Sequence, residues 1–313
     1  MHLQQCQQSN FAKVDLIRNR ANMEIKPLIS PPELARLITQ ESVAIIDTRT
    51  PEEYATAHIP GAVNLREIFT YLATSTPEGL VSLRSQFTDL LGAAGIDGTE
   101  RIIIYEDAMN TGYGQSCRGY FLLKYFGCAQ VSVLHGGYQA WLATGLPTTT
   151  GVPTIENKTF AVNLDSSIMV TTEEMLQAVD NSAIVKLDVR DTDEWRGESS
   201  SPYGVDFCPR KGRIPNAVWI EWYEMMEPDS KTPMFRSSSE ILKLCQEVGI
   251  TTDSTVYIYC FKGSRASNTL IALKEAGIKD VRNYFASWNE WSRDPALPIE
   301  VGEPKMSKVP AQV

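Results

Sequence analysis

The chain has 313 residues, 43% of them hydrophobic and 21% charged, with a net charge of −9. That is long enough for two domains of ordinary size, in a composition that excludes a disordered or fibrous protein. The acidic balance argues against a nucleic-acid partner, whose phosphates need a basic face, but leaves room for a local basic pocket that takes a small anion.

Residues 1–24 are polar and Gln-rich, with no apolar leader core, and are expected to form a flexible tail. No apolar run approaches the roughly 20 residues of a membrane helix, so no membrane partner is expected. Three histidines (His2, His58, His135) and six cysteines without a Cys-x-x-Cys pair argue against a zinc site, and no metal or cofactor is expected. The cysteines read as reduced thiols of a cytoplasmic protein.

From residue 25 onward the chain repeats itself. Ala44 to Arg49 (AIIDTR) is followed by His58-Ile59-Pro60-Gly61-Ala62; Ile184 to Arg190 (IVKLDVR) is followed by Arg213-Ile214-Pro215-Asn216-Ala217. Arg101 to Tyr105 (RIIIY) answers Thr255 to Tyr259 (TVYIY), and Gly137 to Trp141 answers Ser287 to Trp291. Short apolar runs alternating with helical stretches predict parallel strands with crossover helices. Helices are expected over 32–41, 83–94, 172–179, 238–248 and 266–276, with a capping box at Thr171–Glu174 and glycine stops at Gly95, Gly249 and Gly277. The reading is an N-terminal domain over 25–147, a linker over 148–168, a C-terminal domain over 169–302 and a tail over 303–313. The C-terminal half carries an additional loop, 197–212, long enough to suggest a functional role.

The chemistry concentrates after Tyr259. A buried strand runs straight into Cys260-Phe261-Lys262-Gly263-Ser264-Arg265, with a helix beginning near Ala266. A cysteine at the carboxyl end of a parallel strand stands where α/β proteins bind ligands. Successive N–H groups, the helix start and the charges of Lys262 and Arg265 all favour a thiolate or persulfide anion. The alternative is one more packed strand-end cysteine, but the surrounding Lys-Gly-x-Arg argues against it. In the first half the corresponding position is Glu106, which cannot accept sulfur, and Cys117 reads as structural.

The doubled Asp-x-Arg, the His-Ile-Pro-Gly-Ala turn, the Cys-x-Lys-Gly loop and the run Trp288 to Pro295 resemble the tandem-domain rhodaneses, the thiosulfate sulfurtransferases, over about residues 27–300. The resemblance implies two similar α/β domains, each with a five-stranded parallel sheet flanked by helices, the first without a nucleophile. It implies that Cys260 takes sulfur from thiosulfate as a persulfide and passes it to cyanide or a thiol, a thiol protein among the acceptors. Lys262, Gly263, Ser264, Arg265 and Arg190 are the expected substrate-binding residues. Arg190, like Arg49, also reads as a structural partner of the nearby carboxylate.

Glu194 departs from the family, which often has an arginine there; Arg190, Arg210, Lys211 or Arg213 are candidates to compensate. Cys208 reads as packing, with a second redox thiol as the alternative, and Trp219, Trp222 and Trp288 as cleft or core walls. His58 and His135 are expected in ordinary turn hydrogen bonds. The rivals are a sulfur carrier or sensor serving a protein or unusual small molecule, and a 3-mercaptopyruvate sulfurtransferase, against which the basic loop speaks. A phosphatase or arsenate reductase is disfavoured because its loop needs one more residue than the four between Cys260 and Arg265.

Overall fold

The computed structural model describes residues 25–228 and 230–302. The two expected tails lie outside the described residues.

The first half runs β1 (Leu28–Ile29), α1 (Pro31–Gln40), β2 (Val43–Asp47), α2 (Pro51–Thr56), β3 (Ala62–Asn64), α3 (Glu67–Thr70), α4 (Pro77–Ala93), β4 (Arg101–Tyr105), α5 (Gln115–Tyr125), β5 (Val131–Leu134) and α6 (Gly137–Ala143). The second runs α7 (Thr172–Ala178), β6 (Ile184–Asp188), α8 (Thr192–Arg196), β7 (Ala217–Trp219), α9 (Ser238–Glu247), β8 (Thr255–Tyr259), α10 (Ser264–Glu275), β9 (Asp280–Asn283) and α11 (Ser287–Trp291). All strands are parallel, in the orders β1-β5-β4-β2-β3 and β7-β6-β8-β9.

The α/β reading and the repeat hold, with one correction: the second sheet has four strands rather than five. The counterpart of β1 has shrunk to a single bridge, Met169 against Asn283. Helix α4 begins at Pro77, earlier than expected, because Thr76 caps it with its hydroxyl on the Gly79 N–H (3.1 Å) and Pro77 needs no donor.

Capping boxes fix several of the helix starts. Thr50 and Glu53 start α2, Thr171 and Glu174 start α7, and Asp191 and Glu194 start α8. Behind each β2/β4 and β6/β8 pair, the repeat preserves one buried unit. Arg49 pairs with Asp47 (2.7 Å) and donates to the Ala57 carbonyl; Arg190 pairs with Asp188 (2.6 Å) and donates to the Gly212 carbonyl. Tyr105 hydroxyl donates to Asp47, and the Ile59 N–H donates to that hydroxyl; Tyr259 receives the Ile214 N–H in the same way.

The halves meet along α5 and α10, whose first turns abut: a Cβ on Gly114 would lie 2.6 Å from the Ser264 carbonyl oxygen. Phe121 stacks on Phe285 across this contact. His135 also reaches across, its Nε2 accepting the Phe235 N–H at 2.9 Å. Its role is therefore to join the domains rather than to close a local turn. Burial lowers the His135 pKa to about 4, which keeps the acceptor nitrogen unprotonated. The linker is no loose tether. Lys158, Ala161, Asn163 and Asp165 donate backbone hydrogen bonds to Gly92, Asp97, Phe126 and Tyr125, and Phe160 is buried in the first half's core.

Candidate active site

Strand β8 ends at Tyr259 and the chain turns through residues 260–263 into α10. The turn is held from behind. The carbonyl oxygens of Cys260 and Phe261 accept the N–H groups of Trp288 (3.0 Å) and Asn289 (2.9 Å), and that of Gly263 accepts the Ser267 N–H and hydroxyl. With the carbonyls anchored behind it, the loop folds round the sulfur: the Gly263 N–H points at Cys260 Sγ at 3.1 Å. Gly263 has φ +85°, and a Cβ there would lie 2.6 Å from the Phe285 carbonyl oxygen, so the ring needs glycine on both counts.

Cys260 lies at the base of a cavity of about 220 Å³ lined by Phe69, Tyr113, Pro202, Tyr203, Cys260, Phe261, Lys262, Ser264 and Arg265. The Ser264 hydroxyl is buried and has no partner. Lys262 Nζ sits 3.7 Å from the Phe69 ring centroid and is almost wholly buried. Burial above all, then repulsion from Arg118 and Arg66, lowers the Lys262 pKa to about 7.

Arg265 lines the same cavity, but its charge is already engaged. It binds Glu194 through two nitrogens (2.6 and 3.1 Å) and Asp191 at 2.9 Å. Burial alone would lower its pKa; Glu194 in contact outweighs that and raises it. The carboxylate that breaks the family pattern is thus the capping glutamate of α8, turned onto Arg265. Asp191-x-x-Glu194 matches Thr50-x-x-Glu53 of the first repeat, a signal in the sequence that would have assigned Glu194 to the helix start.

Of the two roles expected for Arg190, the structural one is found: it is held in the buried Asp188 pair described above and is not among the cavity-lining residues. Its duplicate, Arg49, makes the same bonds in the half that has Glu106 in place of the cysteine nucleophile, so the pair serves the sheet. None of the proposed substitutes for the missing arginine reaches the cavity. Arg210 caps the end of α11 through the carbonyls of Trp291, Ser292, Asp294 and Leu297. Lys211 donates to the Glu198 carbonyl, and Arg213 pairs with Glu300.

A further positive charge that acts on Cys260 comes from the first half. Arg118, fully buried, donates to the carbonyls of Ile68, Phe69 and Tyr71, and burial lowers its pKa to about 9. These bonds also hold the backbone that presents Phe69 to the cavity. Nothing in the sequence repeat marks Phe69, Tyr113 or Arg118, because they act on the other domain. Tyr203 was foreshadowed by the length of the 197–212 loop. Cys208 is buried, with its pKa raised chiefly by burial, and Trp222 and Trp288 are core residues.

The first half shows what replaces the nucleophile. Glu106 is fully buried in its own loop, accepting the Gln115 N–H (2.8 Å) and the Ser116 hydroxyl (2.9 Å). Burial raises its pKa to about 8 against the pull of these bonds. The place that holds sulfur in the second half is filled here by the Glu106 carboxyl.

Comparison with known proteins agrees with this geometry. A rhodanese-like domain model matches residues 30–144 and 171–294. The chain is 28% identical over 274 residues to a thiosulfate sulfurtransferase of Azotobacter vinelandii, covering 88% of this chain and 97% of that one. It is 30% identical over 260 residues to the sulfur carrier protein TtuD of Thermus thermophilus, covering 80% and 87%. A solved structure of an EanB variant in complex with ergothioneine superposes with a TM-score of 0.77 at 25% identity, covering 89% of this chain and 71% of that one. The protein belongs to the rhodanese-like sulfurtransferases, with two copies of the domain in one chain.

Proposed function

We propose that the protein moves sulfane sulfur from thiosulfate to a thiophilic acceptor through a persulfide on Cys260. The observation that carries this reading is the Cys260 loop, with a backbone N–H 3.1 Å from Sγ at the base of a cavity. The thiolate attacks the outer sulfur of thiosulfate; the sulfur–sulfur bond of the donor breaks, sulfite leaves with the electron pair, and Cys260–S–S⁻ remains. Cyanide then takes the terminal sulfur as thiocyanate and returns the thiolate; with a thiol, the product is the acceptor's persulfide. The Gly263 N–H and the unpartnered Ser264 hydroxyl stabilise the sulfur anion, as donors do in an oxyanion hole; the N–H directed at Sγ and the open hydroxyl beside it in sequence support this role. Lys262, in its charged form, binds the sulfonate end of the donor. The free, buried thiols among the described residues support a reducing, cytoplasmic setting.

The test is incubation of the reduced protein with thiosulfate and then cyanide, alongside Cys260→Ser. A gain of about 32 Da on Cys260 before cyanide, and thiocyanate over many turnovers after it, is the expected result. A wild type that gains no sulfur from thiosulfate sinks the donor, and a Cys260→Ser enzyme that still turns over sinks the nucleophile.

A second reading, delivery to a protein or a less common small molecule, draws support from the engaged state of Arg265 and the aromatic walls of the cavity. Both leave the site less anion-selective than the loop sequence suggests. The sulfur carrier relative, and structures of EanB with ergothioneine covalently linked with a persulfide cysteine, point the same way. Under this reading the loaded persulfide forms but discharges slowly to cyanide and quickly to the true acceptor.

A further inference from the structure

The loop that carries Glu106 is longer than its active counterpart. Nine residues, 106–114, separate β4 from α5, whereas four, 260–263, separate β8 from α10. The additional length does not stay in its own domain. Tyr113, at φ +54°, stacks on Trp222 of the second half (6.0 Å between ring centroids) and lines the same cavity as Cys260.

Two anchors hold that excursion. At the far end Gly114 (φ +72°) packs on the Ser264 carbonyl, inside the first turn of α10. At the near end the Glu106 carboxyl reaches over the loop to the Gln115 N–H and the Ser116 hydroxyl, pulling its two ends together. The loop wraps tightly round this carboxyl: a Cβ on Gly112 would fall 2.0 Å from Glu106 Oε2. A residue in the left-handed region with a bulky side chain persists only where the surroundings over-determine it.

We infer that Tyr113 is a specificity-determining residue for the sulfur acceptor, and that Glu106 is the positioning residue that holds it over the cavity. The half without a nucleophile then decides which molecules reach the persulfide formed in the other half. The ring narrows the approach to Cys260 and favours compact acceptors over bulky thiols. This rests on the Cys260 persulfide reading, and the two are separable because loading and discharge are measured apart.

The experiment loads wild type, Tyr113→Ala, Tyr113→Phe, Glu106→Ala and Glu106→Gln to the persulfide, verified by mass. Each is then discharged in a single turnover with cyanide or with glutathione. Thiosulfate is the loading donor, with polysulfide as the substitute if it fails; failure of both overturns the persulfide reading itself. In Tyr113→Ala the glutathione rate rises about tenfold relative to the cyanide rate, the scale on which pocket contacts discriminate. Tyr113→Phe keeps the wild-type ratio because the ring remains.

Glu106→Ala shifts the ratio as Tyr113→Ala does. Glu106→Gln, which matches the neutral carboxyl in shape and still accepts the Gln115 N–H, keeps the wild-type ratio at normal loading. An unchanged ratio in Tyr113→Ala overturns the role of the ring. A wild-type ratio in Glu106→Ala, or an Ala-like ratio in Glu106→Gln, overturns the role given to the neutral carboxyl. If Glu106→Ala does not fold, the Tyr113 pair and Glu106→Gln still decide the matter.

Discussion

At the ends of β4 and β8 the same backbone position carries Glu106 in one half and Cys260 in the other. Both side chains sit in a turn that leads into a helix, and both accept a backbone N–H from that turn or from the first residue of the helix. The glutamate completes its turn from within: its oxygens take up the donors, its loop closes round it and burial pushes its carboxyl pKa up to about 8. The cysteine is one atom deep where the glutamate is three. It leaves the Ser264 hydroxyl unpartnered and opens on a cavity. A site for sulfur is therefore an anion-binding turn left deliberately incomplete, and the duplicate shows the completed form.

The largest effect that can break this comparison is loss of the nucleophile. Cys260→Ser should lower thiocyanate production by about three orders of magnitude or more, while Glu106→Cys in the same background restores none of it. Activity in the double variant would mean that the two turns are chemically interchangeable.

Next comes the glycine of the turn. Gly263→Ala should destabilise the protein by about 3 kcal/mol in urea unfolding and abolish persulfide loading, since the new methyl meets the Phe285 carbonyl. Gly249→Ala is the control: φ is +83° there too, but nothing lies within 4 Å, so about 1–2 kcal/mol and normal loading are expected. Equal costs would show that the backbone twist alone, and not the tight approach, governs position 263.

A smaller effect concerns the engaged arginine. Glu194→Gln removes one of the two carboxylates on Arg265 and leaves Asp191, so more of the arginine's charge acts on the cavity; KM for thiosulfate should fall about fivefold while the lost ion pair costs roughly 3 kcal/mol of stability. A KM that stays put while stability falls would assign Arg265 to the scaffold alone.

The smallest is the pH dependence of donor binding. With its pKa lowered to about 7, Lys262 is cationic below neutrality and neutral above it. Thiosulfate KM should therefore rise about fivefold between pH 6 and pH 8, and Lys262→Met should flatten the profile. A steep profile in Lys262→Met would move the titration to another group.

Much of this was legible in the sequence. The repeat gave the paired sheets and the matching ends of RIIIY and TVYIY, because strand periodicity and helix caps are local signals. Cys260, Gly263 and Ser264 could be placed for the same reason: the turn they form is contiguous. What escaped was carried by contacts between distant segments. Arg190 is legible as the partner of its neighbouring carboxylate but not as a donor to the Gly212 carbonyl, 22 residues on, and Arg265 looks free because Glu194 lies 71 residues away along the chain. Phe69, Tyr113 and Arg118 belong to the half without a nucleophile, so reading each repeat for its own chemistry could not find them.

The strap between the halves has a mechanical meaning. Residues 158–165 are stitched to the first half, and Gly92 is packed so closely beneath them that a methyl there would lie 2.5 Å from the Lys158 carbonyl oxygen. The length of chain free to pay out between the two sheets is correspondingly short. Combined with the α5–α10 seam, this makes the protein a single calorimetric unit: heat should melt it in one endotherm, and a protease cut in the strap should leave the two pieces eluting together.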